Sequence, residues 1–430
     1  MRNFVIILIF LFQNIISAQE NFVIDTTDFV KRKSFLKEFD QSNLILLKNL
    51  ETKNERKIFK NLKKNLEEFK NEFSTQINEK NFHFDERLLG MANEILEEFK
   101  NKNPEVPKYT KILVSKNPSV NAYCIPDGTF VINIGLYYWL DNEDQVASVI
   151  AHEISHKILE HPIKTQLKRI NDDLNETNKK LVREVKKQKY NKTEKAFDLF
   201  KKNLYATGEL RRKHEYEADS LGYLLLKRTK YNKLEFKETL KLMEKYDTIQ
   251  PKGLTNSIYK KMFDLPNLSF KEDWMKIEDF SSYDYSLLKE KINKDSIASH
   301  PEMDERIKKL VENFPELNDS KSNKPSEEYI KIKEIAYYNI VPNLIFFEDY
   351  GYAIYLCLSR IENEKDIELH KKQLGEAFQK VYQARKDYKL NRYLDRIDPK
   401  DQTESYMQFL SFMWNLKLDE IKYISEYYNK

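Results

Sequence analysis

The chain has 430 residues, of which 40% are hydrophobic and 33% charged, so it has enough apolar side chains for two or three packed domains. Only 8 glycines accompany 26 tyrosines and 26 phenylalanines, and lysines alternate with acidic residues along most stretches, which favours a mostly helical protein. The net charge of +4 is too small for a nucleic-acid-binding surface, so no nucleic acid partner is expected.

The first eighteen residues differ from the rest of the chain. Arg2 precedes an apolar run from Phe4 to Phe12, and Ala18 supplies a small residue after it. This pattern is typical of a cleavable signal peptide, which we predict over residues 1–18. An uncleaved anchor is the alternative, but the run is short for a membrane span. We therefore expect an exported protein without a transmembrane segment in its mature form. The periplasm is the favoured location, and secretion or a peripheral membrane location are the alternatives.

The next segments predict helices followed by a small sheet. Residues 19–75 are charged with helical spacing and predict an N-terminal helical segment. Lys111–Val114 and Thr129–Ile134 are rich in β-branched and aromatic residues, and a Pro-Asp-Gly turn over 126–128 precedes the second. An edge strand beside a cleft can bind a peptide by backbone pairing. We assign that role to the second strand, with an ordinary core strand as an equal alternative. The residues of this candidate edge strand are Thr129, Phe130, Val131, Ile132, Asn133 and Ile134.

Two histidines four residues apart, His152 and His156, have Glu153 directly after the first. Residues four apart lie on one face of an α-helix, so both imidazoles can bind one ion, as a tetrahedral zinc site needs. Glu153 lies beside them, where it can take a proton from water at the metal. His161 follows His152 by nine residues, about half a turn away on the helix, and is expected to be a helix-end residue and not a ligand.

A second helical segment offers carboxylates. Residues 164–204 are strongly charged and predict a long helical hairpin. After it, Glu215 and Asp219 are four apart and share a helix face. Catalytic zinc commonly takes two histidines and one carboxylate, so Glu215 is a candidate ligand, and Asp219 is a candidate to orient a ligand from behind it. Spacing alone leaves two alternatives, a solvated acidic face and His214 as the third ligand.

A later helix start carries two further candidates. Pro301 suits the first turn of a helix. His300, one of only seven histidines, is a candidate to reach the metal, and Arg306 is a candidate to bind a carboxylate or a substrate carbonyl.

The C-terminal stretch, from about Lys324, is helical in pattern and aromatic. Core packing is the favoured interpretation of these aromatics, and an interaction surface for envelope proteins is the alternative. Cys124 and Cys357 are the two cysteines. Export would permit a disulfide, but their separation does not predict whether they pair.

Together, four ordered motifs resemble the zinc metallopeptidase family that includes the CAAX prenyl endopeptidase, the membrane protease HtpX, the mitochondrial overlapping-activity protease and the periplasmic protease BepA. The resemblance covers about residues 85 to 312. The motifs are Asn121-Ala122-Tyr123 with Gly135-Leu136, His152-Glu153-x-x-His156, Arg212-x-x-Glu215-x-x-Ala218-Asp219-x-x-Gly222, and His300-Pro301 with Arg306. Arg211 and Cys124 depart from the family's usual residues.

This resemblance implies an α+β, predominantly helical fold. It implies a zincin-type (gluzincin) domain with a small sheet, which we place over 76–320. The helical pattern of the remainder predicts an all-helical C-terminal region over 321–430. The resemblance further implies one zinc ion on His152, His156 and Glu215, with Glu153 as the base. His300 or Arg306 would assist at the oxyanion. In BepA-like members the histidine of the last motif can occupy the open zinc position, and His300 matches it.

The expected function is that of an exported zinc endopeptidase, as in the BepA branch, which cleaves unfolded or misassembled polypeptides bound in an extended conformation. Envelope protein partners for the C-terminal helices stay the alternative to core packing, because this region does not show the BepA-type repeats. One alternative is a zinc-stabilised chaperone or scaffold that binds envelope proteins without turnover. Another is a zinc hydrolase with a non-peptide substrate.

Overall fold

The computed structural model describes residues 27–176, 179–180, 192–248, 253–276, 303–319, 322–398 and 402–430. The predicted signal peptide and His300 lie outside these residues. The chain divides into two compact units, one within Met1–Lys245 and Leu288–Ala336 and the other within Tyr246–Leu287 and Tyr337–Lys430. The domain boundaries derived from the sequence remain predictions.

The first unit combines helices with one small sheet. Its helices are α1 (Phe29–Lys53), α2 (Arg56–Asn78), α3 (Glu86–Lys102), α4 (Ile134–Trp139), α5 (Glu143–Ile158), α6 (His161–Leu174), α7 (Lys192–Leu226), α8 (Glu235–Thr248) and α10 (Met303–Asn313), and its strands are β1 (Phe82–His83), β2 (Lys111–Ser115), β3 (Ala122–Cys124) and β4 (Thr129–Asn133). Helix α9 (Asn256–Phe263) belongs to the second unit. The mostly helical α+β class predicted from the sequence is confirmed.

Helices α1 and α2 cover one part of the sheet. Phe39 of α1 and Phe73 of α2 pack in one buried cluster with Phe82 of β1 and Val131 of β4. The ring centroids of Phe39 and Phe73 are 5.2 Å apart, as are those of Phe73 and Phe82. Aromatic burial of this kind is a major favourable contribution to a core. The predicted N-terminal helical segment therefore packs on the sheet.

The sheet order is β1-β2-β4-β3, and it corrects the prediction for Thr129–Ile134. Strand β4 pairs in parallel with β2 on one side and antiparallel with β3 on the other. It is therefore an interior strand, all five of its residues are buried, and Ile134 already begins α4. The assignment of these residues to a substrate edge strand is wrong, and β3 occupies the edge instead. The continuous apolar run is typical of a strand buried on both faces.

The predicted turn over 126–128 is present and contacts α5. Gly128 has a φ of 100°, which glycine adopts at little cost. Lys157, next to His156, donates from Nζ to the Pro126 carbonyl at 2.7 Å. The C-terminal end of α5 is thereby attached to the turn between β3 and β4.

The second unit is helical. Besides α9 it contains the later part of α11 (Glu327–Phe346), α12 (Tyr350–Glu362), α13 (Ile367–Lys386), α14 (Glu404–Asn415) and α15 (Leu418–Tyr428). Its core is aromatic, with the Phe412 ring 5.0 Å from Tyr259 and 4.7 Å from Phe263 between centroids. Tyr355 is also buried, whereas Phe346 is 41% exposed. Most of these aromatics therefore serve packing.

The described residues also bear on cysteine pairing and on membrane spans. Cys124 and Cys357 are both free thiols, so the two cysteines do not pair. Burial raises the pKa of the Cys357 thiol to about 12. Among the described residues, each helix is either too short or too polar to span a bilayer.

Candidate metal centre

Helix α5 presents both histidines of the motif from a firmly capped start. The Asn142 side chain accepts a hydrogen bond from the Gln145 backbone N–H, and acidic residues fill the first turn, both of which stabilise a helix N-terminus. The fully buried Glu235 of α8 accepts from Asn142 Nδ2 at 3.1 Å and from Gln145 Nε2 at 3.0 Å. These contacts fix where α5 begins relative to α8.

Helix α7 packs closely against α5 and brings Glu215 to the two histidines. Gly222 of α7 makes this approach possible, because a Cβ at that position would lie 3.1 Å from the backbone nitrogen of His152 and 3.0 Å from the Phe236 ring. The spacing of the two helices therefore depends on a residue without a side chain.

Possible ligand atoms of three side chains converge between these helices. His152 Nε2 lies 3.0 Å from His156 Nε2 and 3.4 Å from Glu215 Oε2, and His156 Nε2 lies 3.6 Å from Glu215 Oε1. Ligands about 2.0–2.1 Å from a tetrahedral ion lie about 3.3 Å apart. The triangle of donors therefore fits one zinc-sized ion, and its two-histidine, one-carboxylate composition is that of a catalytic zinc site.

Asp219 and Arg306 stand behind the ligand atoms. Asp219 Oδ1 lies 2.9 Å from His152 Nδ1, the ring nitrogen that faces away from the donor triangle. Arg306 donates to both Asp219 oxygens and approaches Glu215 Oε2 to 3.3 Å. The structure thus gives Asp219 the orienting position that the sequence suggested. Arg306 contacts these carboxylates and is only 3% exposed. Its burial favours the carboxylate-binding role over contact with a substrate carbonyl.

The electrostatics of the set favour a cation. Burial disfavours the charged form of His152, but the carboxylates of Asp219 and Glu215 outweigh burial and raise the pKa of His152 to about 10. For His156, burial and the nearby charge of His152 place the pKa well below its usual value. Without a metal, one histidine therefore carries a proton among the carboxylates, in the place that a metal cation would take.

Glu153 is buried beside this set. It is 8% exposed, and its charge acts on Arg306 and on the Cys124 thiol of β3. Glu153 therefore projects from α5 within electrostatic range of both Arg306 and Cys124 of β3.

Two other histidines from the sequence analysis, His161 and His214, lie beside the donor triangle. His214 is outside the donor triangle, and its ring stacks on His161 with centroids 4.0 Å apart. His161 begins α6, as expected of a helix-end residue, yet its ring contacts His156, a contact that the sequence did not predict. With Glu217, these two histidines form a second group of possible ligands among the described residues. His300 lies outside the described residues, so its role remains a prediction.

Comparisons with known proteins match this stretch of the chain. A model of peptidase family M48 matches residues 85–313, which is more than half of the chain and contains every candidate metal-centre residue named above. The mitochondrial metalloendopeptidase OMA1 of Arabidopsis thaliana is 39% identical over 51 residues. That alignment covers 12% of this chain and 10% of the relative, so the likeness to OMA1 is local.

Proposed function

We propose that the chain, which belongs to peptidase family M48, is a metalloendopeptidase that uses one zinc ion, held by His152, His156 and Glu215, to hydrolyse extended polypeptides. The observation that carries the proposal is the donor triangle of these three side chains. Its two Nε2 atoms lie 3.0 Å apart, and each lies 3.4 or 3.6 Å from a different oxygen of Glu215. Its two imidazoles and one carboxylate leave a fourth position for water in a tetrahedral site. The resemblance inferred from the motifs is confirmed at the level of the family.

Charge also supports a divalent ion. Glu153, Glu215 and Asp219 contribute three carboxylates, and Arg306 contributes one guanidinium, in a buried region. With both histidines neutral, the four groups sum to two negative charges. A divalent cation balances them, as a buried site requires.

Each residue has a distinct part in the proposed mechanism. Zinc, when bound, supplies Lewis acidity and lowers the pKa of water toward about 7. Glu153 accepts the proton of the attacking water and passes it to the leaving amine. Asp219 holds the His152 ring through Nδ1, and Arg306 pairs with Asp219 and lies close to Glu215. His300 remains a candidate for the oxyanion or for a latent state.

We propose that the substrate strand pairs with β3. Because β3 is antiparallel to β4, its residues alternate between hydrogen bonds to β4 and outward-facing backbone groups. Asn121 and Ile125 make bonds to β4, so the alternation turns the backbone of Ala122 and Cys124 outward. Among the described strands, none pairs with that side of β3. A substrate bound by backbone pairing would be recognised largely independently of its sequence.

The test is proteolysis of casein by the full-length protein, with and without chelator, followed by addition of zinc. Chelation should abolish cleavage and zinc should restore it. Glu153→Gln should keep the metal and lose about 10²–10⁴-fold in rate. Glu209→Gln, an exposed residue of the same type on α7, should cleave normally. Wild-type turnover by Glu153→Gln would refute the assigned base. A zinc-loaded wild type that binds casein without cutting it would favour the chaperone alternative.

The compartment is a separate proposal. The pattern of residues 1–18 supports export to the periplasm, with envelope proteins as substrates or as partners of the C-terminal helices. N-terminal sequencing of the protein from fractionated cells should find a mature chain in the exported fraction that begins near Gln19. A cytosolic protein that still carries Met1 would overturn this assignment.

A further inference from the structure

His161 returns from the start of α6 to contact the candidate ligand His156. Helix α5 ends at Ile158, and after Leu159 the backbone turns through Glu160, whose φ of 54° is left-handed. The turn places the His161 ring, 2% exposed, so that its Nδ1 lies 2.9 Å from Nδ1 of His156. The contact is therefore made by the His156 nitrogen that faces away from the donor triangle.

Metal binding would decide the direction of this hydrogen bond. If Nε2 of His156 binds the ion, the neutral ring carries its only proton on Nδ1. Nδ1–H of His156 must then donate, and Nδ1 of His161 must accept. An accepting Nδ1 leaves the proton of neutral His161 on Nε2.

The far nitrogen of His161 meets a matching acceptor. Nε2 lies 3.1 Å from Oε2 of Glu217, whose other oxygen lies 3.8 Å from Lys213 Nζ. The carboxylate accepts Nε2–H and so favours the tautomer that His156 needs. His214 contacts His161 by ring stacking, with the two rings nearly parallel at an interplanar angle of 8°.

We propose that His161 is a positioning residue for His156, held in its accepting tautomer by Glu217. The inference rests on the proposed zinc site. It gives each ligand histidine a partner behind it, Asp219 for His152 and His161 for His156. Partners of this kind fix ring orientation and raise ligand basicity, and their loss typically costs 10–100-fold in metal affinity.

A second metal ion on His161, His214 and Glu217 is the competing assignment. For that ion Nε2 of His161 would be a ligand, so a neutral ring would carry its proton on Nδ1. Two N–H groups would then face each other across the 2.9 Å contact with His156. This conflict arises whenever the first site is filled, and it favours the positioning role.

The experiment compares three variants of the full-length protein by zinc competition against a chromophoric chelator. His161→Phe keeps a ring but cannot accept, and should bind zinc at least tenfold more weakly. His161→Asn offers an amide oxygen near the position of Nδ1 and should recover most of the affinity. His214→Phe keeps the stack without touching His156 and should bind as the wild type does. Cobalt(II) absorption spectra should change in the same order.

Glu217→Met provides a test that does not alter the buried ring, because Glu217 is 40% exposed at its side chain. It should weaken zinc binding severalfold. Equal zinc affinity in the wild type, His161→Phe and Glu217→Met would overturn the inference. So would two zinc ions per wild-type chain with one lost in His214→Phe. A wild type that binds no zinc at all would instead refute the proposed function.

Discussion

Arg306 donates two hydrogen bonds to Asp219, from Nε at 2.8 Å and from Nη2 at 2.6 Å, and both side chains are 3% exposed. The same carboxylate oxygen that receives the shorter bond lies 2.9 Å from Nδ1 of His152. Asp219 therefore connects a helix of the last family motif to a candidate metal ligand. Burial would raise the pKa of Asp219, but Arg306 and His152 lower it below its usual value, so the carboxylate stays charged.

Removal of Arg306 should destabilise the protein strongly. Arg306→Met leaves the Asp219 charge buried without its guanidinium, and breaking a buried pair in this way costs about 3–5 kcal/mol. Arg228→Met is the matched control, since the Arg228–Glu105 pair is half exposed and should contribute at most about 1 kcal/mol. Urea unfolding of the metal-free proteins measures both. Equal losses in the two variants would show that Arg306 is not a buried anchor.

Zinc should stabilise the fold through the same residues. An ion at about 100 times its dissociation constant adds about 2.7 kcal/mol to a state that alone can bind it, which corresponds to about 3–4 °C in the melting temperature of a unit of this size. Thermal melts of chelated protein with and without added zinc measure the shift. His156→Ala should show no shift, because it removes a ligand, and a full shift in that variant would place the ion elsewhere.

The edge of β3 predicts a substitution that separates substrate pairing from folding. Cys124→Pro removes an outward N–H and should leave the ladder with β4 intact. The loss of one backbone hydrogen bond to substrate, worth about 0.5–1.5 kcal/mol, should lower kcat/KM about threefold to tenfold. Cys124→Ala keeps the N–H and should cleave at the wild-type rate. If the alanine variant is equally impaired, the thiol matters and the backbone pairing does not.

The protein should lose stability as the pH falls, because His83 of β1 is buried in its neutral form. This ring is 3% exposed, its Nε2 has no hydrogen-bond partner among the described residues, and burial together with Lys116 lowers its pKa to about 3. The unfolded chain takes up a proton near pH 6.5, where the folded chain does not. The stabilisation is therefore complete above pH 6.5 and is lost as the pH falls toward 3.

The measurable part of this effect lies between pH 7 and pH 5, where linkage gives a loss of about 2 kcal/mol from one such histidine. Urea midpoints of the wild type and His83→Gln at the two pH values isolate it from other titrating groups. The glutamine variant should lose less stability on acidification. Identical pH dependence in both proteins would exclude His83 as the source.

The sequence identified the local half of the site and only suggested the rest. His152 and His156 follow from helical periodicity, because four residues make about one turn. Glu215 lies on another helix, and no local spacing shows that α5 and α7 pack together, so spacing left it beside two alternatives and only the family resemblance selected it as the ligand. Arg306 was assigned to a carboxylate or a carbonyl, and only the packing of α10 against α7 favours the first.

The position of strand β4 and the contact made by His161 could not be predicted from the sequence, for physical reasons. The run Thr129–Ile134 was assigned to an edge, with a core strand as an equal alternative. Strand order depends on long-range pairing, and the uninterrupted apolar character of this run is better explained by an interior strand. His161 was expected to be a helix-end residue and not a ligand, and its contact with His156 was not foreseen. The left-handed backbone at Glu160 turns it back, and a non-glycine residue with positive φ is uncommon enough that sequence patterns do not predict it.

Gly222 has a consequence for the choice of ion. Gly222 has no Cβ, so α7 can approach the backbone of His152. We expect the distance between the two helices to set the size of the gap between the three ligand side chains. Gly222→Ala would act as a wedge, and the widened gap should shift preference from small cations toward larger ones such as cadmium.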